Sequence, residues 1–124
     1  MDKKLQQMIA PRWIEEQQGV YIPLIDKVLL KDNVPGMPYD DFMGYAQDNN
    51  VKIATKEELL QMYLQKDEIN TILKEHNGDL LDGRFGSSSE CFSLTEWFVN
   101  FDSGNCTSAD KLYLFLSRAV VALK

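Results

Sequence analysis

The chain has 124 residues, the length of a single domain, and 44% of them are hydrophobic, which excludes global disorder. Its formal net charge is −6 and its pI is about 4.7, so it lacks the excess of Lys and Arg that nonspecific binding to nucleic acid or anionic lipid requires. We therefore expect no nucleic-acid partner. We also expect no membrane insertion, because no apolar run approaches the roughly 20 residues of a spanning helix.

The first 18 residues are predicted to form an N-terminal arm or short helix ahead of one domain over residues 19–124. Apolar residues recur at helical spacing in this arm until Pro11, which stops a helix. A frayed terminus is the alternative. The arm has two lysines with no apolar block behind them, so it is not a secretory signal, and a cytoplasmic or virion-associated location is expected unless a signal was removed. Docking through residues 1–14 would make the chain part of a homo-oligomer or larger assembly.

The first half of the domain is predicted to alternate short extended segments with one helix. Pro23 cannot donate a ladder hydrogen bond, so the strand that contains it lies at a sheet edge or is bulged there. Tyr39 and Phe42 begin an apolar face at helical spacing. The predicted elements are strands over residues 19–25 and 27–30, a loop over 32–38, a helix over 39–48 and an extended segment over 51–53.

Two helical segments, or one bent helix, are predicted next. Thr55 and Glu58 form a capping box, in which the Thr55 hydroxyl accepts a hydrogen bond from the Glu58 amide and Glu58 reaches back. Asp67 is predicted to cap the second helix. Gly78 is suited to the left-handed conformation that commonly ends a helix.

The last third of the chain is predicted to form three strands of one antiparallel sheet, tied by polar turns. The predicted strands cover residues 84–90, 96–102 and 112–123. Alternation in the second strand places Glu96 and Phe98 on the face opposite Trp97. Phe98 and Phe115 therefore either meet the helices on that second face or form an exposed patch for a partner. The apolar ending over residues 119–123 is typical of a central strand covered on both faces.

Five motifs, in matching order, resemble those of a bacterial and phage family of unknown function, of the collagen-like adhesin C-terminal type. Residues 36–41 resemble its GMTWDEA helix start, and residues 54–59 its LPTKEEL helix start. Residues 85–90 resemble its YWSSSE strand, residues 96–104 its WYVNFSDG hairpin, and residues 116–123 its closing VRPVRAF strand.

This resemblance covers most of the chain and implies an α+β, C-type-lectin-like fold, in which a small antiparallel sheet packs with two helical segments. It also implies a module related to phage or to the cell surface. Gly86 stands where the family usually has Trp, and Val121 where it often has a second Arg, whereas Arg118 keeps the first. The fold is similar to that of the formylglycine-generating enzymes, so an enzyme of that type using Cys91 and Cys106 is the alternative function.

The two cysteines leave three hypotheses open. Free thiols are the default for a chain without an export signal. Cys91 and Cys106 flank the predicted hairpin, so they form a disulfide if their Cα atoms lie within about 7 Å. A redox or copper-binding pair is the hypothesis that the resemblance adds. No cofactor is expected, and the sequence predicts neither a catalytic residue set nor a metal site.

The loops at residues 79–84 and 102–110 are the predicted ligand surface. Their carboxylate and amide oxygens are the ligands that calcium prefers, but the residues of a sugar-binding lectin site are absent and turn formation explains these side chains better. The candidate ligand-binding residues are Asp79, Asp82, Arg84, Asp102 and Asn105. His76, the only histidine, cannot build a His-rich metal site. We interpret the chain as a non-catalytic recognition module for a protein or glycan ligand, an interpretation that depends on fold analogy.

Overall fold

The computed structural model describes residues 7–124 and has a mixed α+β architecture, as the sequence predicts. Residues 1–6 of the arm predicted at the N terminus lie outside the described residues. Within the described range the complete helices are α1 (Tyr39–Asp48), α2 (Lys56–Leu64) and α3 (Lys66–Glu75). The strands are β1 (Arg12–Ile14), β2 (Gly19–Ile22), β3 (Lys27–Met37), β4 (Lys52–Ile53), β5 (Arg84–Phe92), β6 (Thr95–Asn100), β7 (Cys106–Asp110) and β8 (Phe115–Val121).

One mostly antiparallel sheet contains all eight strands. Its order is β1-β2-β3-β8-β5-β6-β7, and β4 pairs with the end of β8 that β5 does not reach. The last strand therefore lies at the centre, as its apolar sequence predicts. The prediction of three antiparallel C-terminal strands is wrong at two points. β5 meets β8 in parallel, at Phe85 and Leu116, and the edge strand β7 was missed because its sequence, CTSAD, is small and polar.

Strand β3 is much longer than predicted. The segment 32–38 was expected to be a loop because it contains Pro35 and Gly36, yet β3 continues through both. Its pairing with β8 shifts register twice, between Leu29 and Asn33 and again between Val34 and Met37. Such bulges tolerate Pro and Gly because a bulged residue needs no ladder hydrogen bond.

The capping box of α2 is confirmed. The Thr55 hydroxyl accepts from the Glu58 N–H at 3.1 Å, and Glu58 Oε1 accepts from the Thr55 N–H at 2.9 Å. The predicted cap of α3 is wrong. That helix begins at Lys66, and Asp67 lies in its first turn. A negative charge there interacts favourably with the helix dipole, but it does not cap the helix.

The end of α3 is shifted by one residue from the prediction. Asn77, and not Gly78, takes the left-handed conformation, with a φ of 59°. The Gly78 N–H donates to the Leu73 carbonyl at 2.8 Å, which closes the last turn. Gly78 is still required, because a Cβ there would lie 2.9 Å from Leu73 Cδ2 and 3.0 Å from the Lys31 carbonyl oxygen.

Two hydrophobic cores fill the opposite faces of the sheet. The larger core lies under α2 and α3, and the smaller one under α1. Val120 belongs to the larger core and its neighbour Ala119 to the smaller one, so alternation along β8 divides the two. The sheet begins earlier than the predicted domain boundary at residue 19, because β1 pairs with β2 and Trp13 packs against the larger core.

A buried arginine joins the central strand to the bulge in β3. Arg118 is fully buried, and its guanidinium donates to four oxygens: the carbonyls of Leu30 (2.9 Å), Lys31 (3.1 Å) and Asp79 (2.6 Å), and Asn33 Oδ1 (3.2 Å). Burial lowers the pKa of Arg118 to about 10, against the opposing attraction of two nearby aspartates, so the group remains charged at neutral pH. Arg118 therefore supplies hydrogen-bond donors to the Leu30 and Lys31 carbonyls, which lie at the first register shift between β3 and β8.

None of the helices formed by residues 7–124 is both long enough and apolar enough to cross a membrane.

Replacing the guanidinium of Arg118 should destabilise the fold strongly. We expect Arg118→Met to lower the free energy of unfolding by about 3 to 5 kcal/mol, because buried acceptors lose their charged donor. Urea denaturation measures the change. The control Arg12→Met removes an exposed guanidinium that lies 5.0 Å from the centre of the Tyr21 ring, and should cost about 1 kcal/mol or less. Equal losses in the two variants would contradict the anchoring role.

Candidate functional site

The β5–β6 hairpin has two ends with different surfaces. Arg84 pairs with Asn100 at one end, and Phe92 pairs with Thr95 at the other. We call the first the loop end, because it carries the loops predicted to bind a ligand. We call the second the tip end, because it carries the turn of the hairpin.

The structure brings four of the five predicted ligand-binding residues to the loop end: Asp82, Arg84, Asp102 and Asn105. All four are exposed, and the contacts in this region shape turns. The Gly83 N–H donates to Asp102 Oδ1 at 3.2 Å, and the Asn100 N–H donates to the Asn105 carbonyl at 2.9 Å. The Arg84 guanidinium lies 5.9 Å from the centre of the Phe98 ring. Ligand binding at the loop end stays a prediction.

The fifth predicted residue, Asp79, takes part in the anchor around Arg118. Its carboxylate accepts from the Asn33 N–H at 2.8 Å, and its carbonyl accepts from Arg118. Among residues 7–124, no three His, Cys, Asp or Glu side chains are placed to share a metal ion. His76 stacks on Trp13, with 3.8 Å between ring centres.

The two cysteines are free thiols and lie on different strands. Cys106 on β7 pairs with Val99 of β6, whereas Cys91 on β5 lies beside the opposite end of β6, next to Glu96. Because β6 runs between them, two strand spacings of about 4.8 Å each separate their backbones, in addition to the offset along the strand. That distance exceeds the roughly 7 Å between Cα atoms that a disulfide spans. Burial raises the pKa of the Cys106 thiol, which disfavours a reactive thiolate there.

An apolar surface covers the tip end. Phe92 at the end of β5, Leu94 in the hairpin turn and Leu112 in the loop before β8 have exposed fractions between 74% and 76%. The Lys111 N–H donates to the Leu94 carbonyl at 3.0 Å, which holds the two segments side by side. The next two residues after Leu112 are also more than half exposed. We define the tip patch as Phe92, Leu94, Leu112, Tyr113 and Leu114.

The tip patch corrects the prediction of a strand over residues 112–123. Only Phe115–Val121 is a strand, and Leu112 and Leu114, expected to share one face of it, are exposed in the preceding loop. Phe115, in contrast, is buried in the smaller core and stacks on Phe98, with 4.7 Å between ring centres. Of the two alternatives for Phe98 and Phe115, the structure therefore favours packing under the helix on the second face, and the exposed patch at this end of the sheet is formed by other residues.

The charges around the tip patch are mainly acidic. Glu90 and Asp110 are exposed beside it. The start of α1 is held there by the Tyr39 N–H, which donates to the Lys111 carbonyl at 2.8 Å, so Asp40 also lies close by. The nearby cation is already engaged, because Lys111 Nζ lies 3.4 Å from Glu90 Oε2 and 4.6 Å from the centre of the Tyr39 ring.

A buried carboxyl group lies behind the tip patch. Glu96 is fully buried, and within the described residues neither of its carboxyl oxygens has a hydrogen-bond partner. Burial raises the pKa of Glu96 to about 7, although Lys111 acts in the opposite direction. Gly86 makes room for this group, because a Cβ at that position would lie 2.8 Å from Glu96 Oε1. This contact gives a physical reason why Trp, usual in the resembling family, does not fit at position 86.

Sequence reasoning missed Glu96 as a notable residue. The sequence places this side chain on the second face of β6 and leaves open whether that face meets the helices or a partner. The smaller core covers this face, and the edge strand β7, which was not predicted, flanks Glu96 within the sheet. Gly86, an unusual residue at a strand position, was the available signal that a neighbouring side chain needs space there.

No protein-family model matches this chain, and no curated protein matches it either. Functional inference therefore depends on the geometry. Two features carry it: the exposed tip patch and the buried carboxyl group of Glu96 behind it.

Both thiols should be titratable in native protein without prior reduction. We expect two thiols per chain to react with Ellman's reagent, with Cys106 the slower because burial disfavours its thiolate. Cys106→Ser should remove the slow phase and leave the fast one unchanged. Thiols that appear only after reduction would show that a disulfide exists.

The burial of Glu96 should make stability depend on pH. The unfolded chain releases this proton near pH 4.5 and the folded protein only near pH 7, so the folded state loses stability as pH rises through this interval. The loss from this group is about 3 kcal/mol. Glu96→Gln cannot ionise, so the difference in unfolding free energy between variant and wild type should change by about this amount from acid to neutral pH.

Urea denaturation across this pH range measures that difference. The matched control is Glu68→Gln, which changes an exposed carboxylate on α3, over the other face of the sheet. It should keep the wild-type profile in this interval. Parallel profiles for wild type and Glu96→Gln would refute the assignment of this pH dependence to Glu96.

Proposed function

We propose that the protein is a non-catalytic recognition module that binds a partner polypeptide through the tip patch. The observation that carries this proposal is the clustering of five large apolar side chains on one exposed end of the sheet. Contiguous apolar patches on soluble proteins commonly mark interaction sites, whereas exposed apolar residues that stand alone, such as Leu64, need no explanation.

The charges around the patch indicate the chemistry of the partner. Glu90, Asp110 and Asp40 give the rim a negative charge, and Lys111 is already paired with Glu90. A complementary surface has large apolar side chains flanked by Lys or Arg. The same rim would repel a second copy of this acidic chain and the surface of an anionic membrane. We therefore assign the patch to a different polypeptide with a basic and apolar binding segment.

We also infer a C-type-lectin-like fold and a role related to phage or cell-surface recognition. Support comes from the positions of the resembling motifs, which coincide with the starts of α1 and α2 and with strands β5, β6 and β8. The two ends of the domain also lie together, as expected of that fold. The Gln17 side chain donates to the Ala122 carbonyl at 2.9 Å and accepts from the Lys124 N–H at 3.2 Å.

Charges placed in the tip patch should abolish partner binding. We expect immobilised wild-type protein to retain a partner from an extract of the source cells or their phage. The double variant Leu94→Asp/Leu112→Asp should retain at least about tenfold less of this partner, because burying a charge in the interface costs more than 1.4 kcal/mol. Leu64→Asp, a matched change at a residue on α2 that is 71% exposed, should bind like wild type. Circular dichroism verifies that all three proteins are folded.

Other outcomes would contradict the proposal. Equal retention of the partner by wild type and the double variant would show that binding does not use the tip patch. Light scattering that shows a dimer, lost in the double variant, would assign the patch to a second copy. Cosedimentation with vesicles of phosphatidylcholine and phosphatidylglycerol, lost in the double variant, would assign it to membrane.

A further inference from the structure

We propose that Glu96 is a proton-operated latch for the tip patch. In this proposal the neutral carboxyl group keeps residues 111–114 docked, and loss of its proton to solvent releases them. The inference deepens the proposed function, because it concerns the regulation of the same surface, and it rests on that function for its biological meaning. The latch itself is a property of the isolated chain.

The carboxyl group of Glu96 lies against the residue that joins the tip patch to the sheet. Glu96 on β6 is opposite Glu90 of β5 and Ala109 of β7. A Cβ placed on Gly86 would lie 2.8 Å from Glu96 Oε1 and 3.0 Å from the Cβ of Phe115, so the three residues meet at one point. Phe115 directly follows the patch, and its ring lies 4.5 Å from that of Tyr113, a member of the patch.

The groups that face Glu96 favour its neutral form. The titratable side chains on the elements around it are Glu90 from β5, Tyr39 and Asp40 from α1, and Asp110 and Lys111 from β7 and the loop after it. Lys111 is the cation of this set, and Glu90 already holds its ammonium at 3.4 Å. An ionised Glu96 would therefore add a buried charge with no hydrogen-bond donor to a site with more carboxylates than cations.

Lys111 is the residue that we expect to move when Glu96 ionises. An ionised Glu96 gains either by reaching water or by taking the ammonium of Lys111 away from Glu90, and in this proposal both changes displace Lys111. The backbone of Lys111 holds the loop at both sides, because its N–H donates to the Leu94 carbonyl and its carbonyl accepts from the Tyr39 N–H. Moving this residue therefore breaks the contacts that align the two halves of the tip patch.

The release is expected to be local. β7 is the edge strand of the sheet, and the segment that follows it places three exposed apolar side chains in solvent. Segments with few buried contacts open at a much lower free energy than the core does. The larger core lies on the other face of the sheet, so it stays intact when the tip opens.

Amide hydrogen exchange at single-residue resolution tests the latch in the full chain without any partner. After correction for intrinsic exchange, the protection factors of the Lys111 and Tyr39 amides should fall by at least about tenfold from near pH 5 to near pH 7.5, because opening becomes linked to proton release. Amides of the central pair, such as Leu29 and Val120, lose protection over the same interval through global unfolding, but they should stay at least about tenfold more protected than Lys111 at pH 7.5. Glu96→Gln should abolish the fall at Lys111, and Glu68→Gln, at an exposed carboxylate on α3, should retain it.

A wild-type measurement covers the case in which Glu96→Gln does not fold. The methyl resonances of Leu112 and Leu114 should shift with the same midpoint as the carboxyl carbon of Glu96. Protection at Lys111 that is independent of pH, or that equals the protection of Val120 across the interval, would overturn the latch. If the exchange experiment fails but partner binding still depends on the tip patch, the latch is wrong and the proposed function stands. If partner binding does not depend on the tip patch but the exchange experiment succeeds, the proposed function is wrong and the latch stands.

Discussion

The structure depends on how one sheet, covered on both faces, accommodates two buried ionisable side chains. Removing a charge from water costs several kcal/mol unless partners replace the lost hydration. Arg118 has such partners, because its guanidinium donates to four oxygens at the bulge of β3. It therefore stays charged and ties the central strand to the loop that leads into β5. Among residues 7–124 Glu96 finds no such partners, and its neutral form is favoured instead.

These two solutions divide the molecule into a rigid part and a responsive part. The rigid part is organised around Arg118, the larger core and the paired strands β2, β3 and β8. The responsive part is the tip end, where an edge strand, an exposed loop and a buried acid lie next to one another. A recognition surface located there can change shape while the rest of the fold keeps its packing.

The cysteines and the acidic loops show why residue type alone is a weak guide to function. Cys91 and Cys106 flank a hairpin in the sequence, but strand order places β6 between them. Asp79 and Asp102 are oxygen donors in loops, but their carboxylates accept backbone N–H groups and shape the fold. The apolar residues of the tip patch looked like strand interior, because alternation over 112–116 fits a strand as well as it fits an exposed loop.

The sequence by itself determined the local elements whose cause is local. Pro38 and the apolar spacing that follows it place α1, the Thr55–Glu58 box starts α2, and the apolar run at the C terminus defines a central strand. Tertiary structure alone decided the length of β3, the existence of β7, the partners of Arg118 and the burial of Glu96. In each of these cases the deciding groups are distant in sequence. Pairing with β8 keeps β3 extended through Pro35 and Gly36, and pairing with β6 makes the segment CTSAD a strand. A single side chain does not encode such partners, because the free energy of its burial depends on which distant atoms replace water around it.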